Sequence, residues 1–150
     1  MSQAFHATLV FERKISAAPK AVFAAFADSA ARAQWGTPSD TAVIIYDDAD
    51  FREGGQDHFR CGPKATPNIH GVTHYWDIVP DRRVISSETL VVDGRRLCVS
   101  LTTLELISDG SKTKLKNTTQ LTSFVGEDMV NGYTTGTNAS LDGLVRFFQE

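Results

Sequence analysis

Five polar side chains, Asp57, Asp77, Ser86, Glu88 and Asn117, stand in β-rich stretches at even spacing from apolar ones: Asp57 with Phe59 and Cys61, Asp77 with Tyr75, Ser86 and Glu88 with Val84 and Leu90, Asn117 with Leu115. That spacing turns them toward one sheet face, shared with Phe59, Cys61, Tyr75 and Leu90. Isolated carboxylates in a dry core cost on the order of several kcal/mol, so such a face is either a wet rim or a polar pocket. A Glu88 carboxyl of raised pKa beside Tyr75 has the makings of acid/base chemistry. The same groups, without a reaction, would orient the polar end of a ligand. The sequence assigns no catalytic residue between these two uses.

Four histidines raise the question of a metal. His70 and His74 share a strand face, but four residues of strand span about 13 Å, too far for one ion. His58 falls on that same outer face of the neighbouring strand. No metal site is expected. Cys61 and Cys98 are too few and too far apart for a zinc-type spacing or a disulfide framework, and read as buried thiols. Nucleophile elbow, phosphate loop and dinucleotide fingerprint are all missing, so no cofactor is expected.

Two turns set the register that places these groups. Pro80-Asp81-Arg82 cannot continue a central strand, and Asp93-Gly94 between β-rich flanks signals a two-residue hairpin. Counting outward from them puts Tyr75 roughly opposite Glu88 and Glu88 roughly opposite Val99. Leu97, Val99 and Leu101 would then share the face of Glu88. The apolar phase shifts to Leu104 and Leu106, which suggests a bulge near Thr102-Thr103.

The elements follow from periodicity. His6 to Ile15 reads as a first strand. Ala18-Pro19 opens a short helix with Val22, Phe23 and Phe26 on its apolar face. Ser29 would cap a second helix from Ala30 to Trp35, ended by Gly36-Thr37-Pro38. Six strands come next, over 41–46, 53–61, 69–79, 83–92, 95–108 and 113–122. After Gly126 the period becomes helical, with Tyr133, Thr137, Leu141, Leu144 and Phe148 on one stripe. Gly132, Gly136 and Gly143 weaken that helix by roughly 1 kcal/mol each, so at least one should serve close packing or a kink. A solvent-facing Trp76 between outward Val72 and Ile78 suggests an interface between two copies.

A chain of 150 residues, 41% hydrophobic and 22% charged, can bury a core without staples, so one domain over 1–150 is expected. A net charge of −3 and no clustered Lys or Arg argue against nucleic acid. No apolar run approaches the roughly 20 residues that span a bilayer, and the first residues lack a signal-peptide pattern. The expectation is a cytoplasmic protein without a membrane partner.

Ala18-Pro19 with Val22-Phe23, Phe51-Arg52-x-Gly54-Gly55, Asp77-Ile-Val-Pro-Asp-Arg-Arg83, Asp93-Gly94-Arg95-Arg96, Val99-Ser-Leu-Thr-Thr103 and Gly136-Thr137 recur in order. With these motifs the chain resembles the SRPBCC (START-like, helix-grip) superfamily, in its branch homologous to the activator of the heat-shock chaperone ATPase. The resemblance covers nearly the whole chain. It implies an α+β helix-grip fold: a curved seven-stranded antiparallel sheet around a long C-terminal helix, with two short helices after strand one and an internal cavity. It also implies aromatic side chains where this chain has Ser86 and Glu88, so the pocket here should be roomier and more acidic, favouring ligands with a donor or cationic group. An acidic residue at the position of Asp57 is common in that branch.

These readings converge on binding of a small, partly apolar molecule between sheet and C-terminal helix. Phe26, Trp35, Phe59, Tyr75, Val99, Thr137 and Leu141 would form walls and rims, and Asp57, Glu88 and Asn117 would orient the polar end. The alternatives are a cyclase- or hydrolase-type enzyme using the same carboxylates, or a co-chaperone-like interaction module.

Overall fold

The computed structural model describes residues 4–37 and 39–149, so Pro38 of the expected helix stop lies outside the described residues. The chain runs β1 (Phe5–Ile15), α1 (Pro19–Ala27), α2 (Ser29–Trp35), β2 (Ala42–Asp48), β3 (Gln56–Pro63), β4 (Ile69–Val79), β5 (Arg83–Val92), β6 (Arg95–Asp109), β7 (Lys112–Ser123) and α3 (Glu127–Phe147). All strand pairs are antiparallel in one sheet of order β1-β7-β6-β5-β4-β3-β2, so β2 to β7 form a meander and β1 closes its far edge. This is the α+β helix-grip architecture.

Local chemistry explains the punctuation. Pro19 stands in the first turn of α1, where its missing N–H leaves no bond unmade. The cap of α2 is Asp28, one residue before the expected Ser29, its carboxylate accepting from Ala30 N at 2.9 Å. Asp93 and Gly94 both take positive φ, 51° and 75°, as the expected tight hairpin requires.

Two bulges correct the register. β5 and β6 pair Val92 with Arg95 and Val91 with Arg96, but then Leu90 with Cys98, so Leu97 is an extra residue. Glu88 therefore lies opposite Ser100, not Val99, and Cys98, Ser100 and Thr102 take the inner face in place of Val99 and Leu101. Leu101 is accordingly 41% exposed. A bulge at Leu97 replaces the one expected at Thr102-Thr103, where pairing runs unbroken on both sides. Likewise Trp76 is skipped between Tyr75↔Ser86 and Asp77↔Ile85. That extra residue turns Asp77 outward to Arg83 and Ile78 inward onto the core, reversing both expectations. Tyr75 keeps the face of Glu88 but lies opposite Ser86, while Thr73 faces Glu88.

The core is split. One apolar cluster gathers Phe11, Ile15, Val22, Trp35, Tyr75, Val84, Leu104, Leu115, Leu141 and Leu144; a second holds Leu90, Cys98, Leu121 and Val130. α3 packs against β1, β7 and α2. Arg13 ties it to β1 through Asp142 at 3.0 Å and Asn138 at 2.8 Å. Ser140 donates to the Gly36 carbonyl at 2.6 Å. Gly143 meets the end of α2 so closely that a Cβ there would stand 2.2 Å from the Trp35 carbonyl oxygen. Gly143 is thus the close-packing glycine, whereas a Cβ at Gly132 or Gly136 would meet nothing within 4 Å. No helix among the described residues is long and apolar enough to cross a membrane.

Candidate functional site

Between the two apolar clusters the inner face of the sheet carries a polar belt. The pairings place Asp57, Thr73, Glu88 and Ser100 in one row across β3, β4, β5 and β6. The next row toward α2 is Tyr75, Ser86, Thr102 and Thr119. On the other side, Phe59, Gly71, Leu90 and Cys98 form a third. The Phe59 ring lies flat on Gly71, where a Cβ would come within 2.1 Å of it. Only glycine leaves that space.

One end of the belt is saturated. Asp57 is completely buried and accepts from Arg32 Nη1 at 2.5 Å, from the Tyr75 hydroxyl and from Asp50 N at 3.1 Å. Arg32 Nη1 also reaches the Tyr75 oxygen at 2.8 Å, and the guanidinium stacks over Tyr46 at 4.6 Å. Burial, together with the bond to Asp57, drives the Tyr75 phenol upward. At the other end Tyr133 of α3 lies 3.2 Å from Ser100, and Thr102, Thr119 and Asn117 form a chain at 3.0 and 2.7 Å.

Glu88 sits between these ends and differs from Asp57. It takes part in no ion pair among the described residues, its bonding neighbour being the Thr73 hydroxyl. Burial, opposed by that bond and reinforced by the Asp57 charge, pushes its carboxyl up to about 7. Its charge is felt on four elements. Burial and Glu88 together raise Cys61 to about 11, Cys98 to about 12 and Tyr133 as well. Tyr46 is raised to about 12, mainly by burial against the opposing Arg32 charge, with Glu88 adding to it. Glu88 lies on the inner face with Thr73 of β4 and Ser100 of β6 on either side of it.

The sequence-derived site residues separate accordingly. Asp57, Phe59, Tyr75, Glu88 and Asn117 come together on the inner face. Thr137 lies on the α3 stripe between Tyr133 and the buried Leu141. Phe26 and Trp35 pack edge to face at 4.9 Å, and the Trp35 indole donates to the Ala25 carbonyl at 3.1 Å, so both belong to the apolar wall under α1. Val99 is on the outer face, paired with Thr89 and Thr122, and does not line the belt.

Arg32, Tyr46 and Ser100 escaped the sequence reading. For Arg32 a signal existed: it stands three residues before Trp35 on a short helix of small residues, a spacing that shares one face. Its partner Asp57, 25 positions away, had no local mark. No group of three His, Cys, Asp or Glu among the described residues could hold a metal ion. His58 and His74 are engaged on the outer face, by Gln56 at 3.1 Å and by the Trp76 ring at 5.8 Å.

A family profile described as "Activator of Hsp90 ATPase homolog 1-like protein" matches residues 16–149. No curated protein matches the chain. Among solved structures, a protein from Rhizobium loti is similar at 33% identity and TM-score 0.85, over 96% of this chain and 98% of that one. A putative uncharacterized protein from Rhizobium leguminosarum is 28% identical at TM-score 0.84, over 99% of this chain and 98% of that one. An AHSA1 protein from Silicibacter pomeroyi shares the fold at 21% identity and TM-score 0.76, over 93% and 96% of the two chains.

Proposed function

The chain belongs to the Activator of Hsp90 ATPase homolog 1-like family, and from that membership and its divided core we propose that it binds a small, partly apolar molecule between the sheet and α3. One observation carries the reading. Thr73, Ser86, Glu88, Thr102 and Asn117 face the helix-covered side of the sheet, yet each keeps part of its surface accessible. A packed interior of ordinary density would have closed over them. Polar groups left accessible between two apolar clusters match the usual composition of a ligand pocket, mostly apolar with a few convergent polar atoms.

Native mass spectrometry of the purified protein, followed by titration with the neutral dye Nile red, tests this. A co-purifying small molecule, or dye fluorescence that rises on binding and is lost in folded Thr102→Phe, is the expected result. Absence of both would overturn it. We extend the proposal to a homodimer through the outer sheet face, on which Trp76 is 60% exposed and Leu101 41%.

A further inference from the structure

The inner face holds two carboxylates of opposite status. Asp57 is neutralised by Arg32 and accepts three hydrogen bonds. Glu88, about two strand spacings away along the same row, pairs with no cation among the described residues. The cations nearest the interior are already committed, Arg32 to Asp57 and Arg13 to Asp142. The Phe59 ring, laid flat on Gly71, lies 5.8 Å from that of Tyr46, which carries Arg32 on one face, and the Tyr133 hydroxyl of α3 reaches Ser100, the residue opposite Glu88, at 3.2 Å. An uncompensated carboxylate among aromatic faces is a setting for a positive charge, which gains from both the carboxylate and the ring quadrupoles.

We propose that the occupant of the binding site proposed above is an organic cation, its ammonium group held by Glu88 and its apolar body lying against Phe59, Tyr46 and Tyr133. This rests on the ligand-binding reading above and names the class of ligand. An anionic occupant has a poorer site: the Arg32 charge is already met by Asp57, and the two unpaired Arg32 nitrogens, Nε and Nη2, are sealed from solvent.

The inference also specifies a pH response. His6, His58, His70 and His74 all lie on the outer face by strand alternation, away from the site. Of the other charged and titratable groups on the inner side, Arg32 stays charged in its pair with Asp57, while Tyr46, Cys61, Cys98, Tyr75 and Tyr133 are all pushed upward, away from neutrality. Asp57, the other carboxylate on the row, is held in its ion pair. Among the described inner-face groups whose pKa is shifted, Glu88 is the one brought near neutral pH.

The experiment compares benzyltrimethylammonium, whose charge does not vary with pH, with its uncharged isostere neopentylbenzene, by NMR titration of the full chain. The cation should bind at least about tenfold more tightly at about pH 8.5 than at about pH 5.5, and Glu88→Gln should remove that difference. The neutral isostere should respond to neither change. Circular dichroism verifies the fold of Glu88→Gln, and Glu88→Asp should restore part of the pH response. If the isostere binds as well as the cation, or cation binding ignores both pH and Glu88→Gln, this inference is overturned and the ligand-binding reading stands. If neither probe binds, both fall.

Discussion

Arg32 Nη1 lies 2.5 Å from Asp57 Oδ2, an ion pair between α2 and β3 whose carboxylate is fully buried and whose guanidinium side chain is 10% exposed. The Tyr75 hydroxyl bonds to both partners, so the pair also fastens β4. Removing one member strands the other charge in the interior. Arg32→Met should therefore cost about 3–5 kcal/mol in urea unfolding, and adding Asp57→Asn should recover a large part. Equal stability of the single and double variants would show that the two charges are not coupled.

Glu88 reverses the usual dependence of a carboxylate on pH. Its folded pKa of about 7 exceeds the ordinary 4.5, so the folded state holds the proton more tightly than the unfolded one. Stability should be unaffected by this group below about pH 4.5, decline as pH rises toward about 7, and level off above. Glu88→Gln should then match the wild type near pH 4 and exceed it near pH 8, by at most about 3 kcal/mol, less where water reaches the carboxylate. Melting curves at the two pH values decide; a constant offset would place the titration elsewhere.

The α3 glycines should respond with opposite signs. Gly143→Ala drives a methyl to 2.2 Å from the Trp35 carbonyl and must separate α3 from α2, lowering stability by about 2 kcal/mol or more. Gly136→Ala meets no atom within 4 Å and gains helix propensity, raising stability by up to about 1 kcal/mol. Thermal unfolding of the two variants, compared at one protein concentration, measures both.

For the outer face the expected result is a dimer at high micromolar concentration by light scattering, dispersed by Trp76→Arg. The Trp76 indole already donates to Ser87 at 2.8 Å and its ring stacks on His74, so the side chain is held in place for a flat contact. A monomeric wild type under those conditions discards the dimer.

Much of this architecture is local in origin and was legible in the residues. Pro19 at a helix start, Asp93-Gly94 in a hairpin turn and the stripe of Tyr133, Leu141 and Leu144 each act through neighbours a few positions away. The inner face of β5 and β7 was equally plain, because alternation along an unbroken strand leaves no freedom.

What the sequence by itself determined is the order of elements, the turns, and the presence of Glu88 and Asn117 on a polar inner face. Which residues oppose Glu88 was decided by tertiary structure. A bulge adds one residue and reverses every side chain beyond it, and neither Leu97 nor Trp76 carries a glycine or proline to announce it. Val99 left the inner face and Ser100 entered it for that reason alone. The Arg32–Asp57 pair belongs to the same category, since a buried charge becomes tolerable only when the fold brings its partner from a distant element, and no local rule states which partner that is.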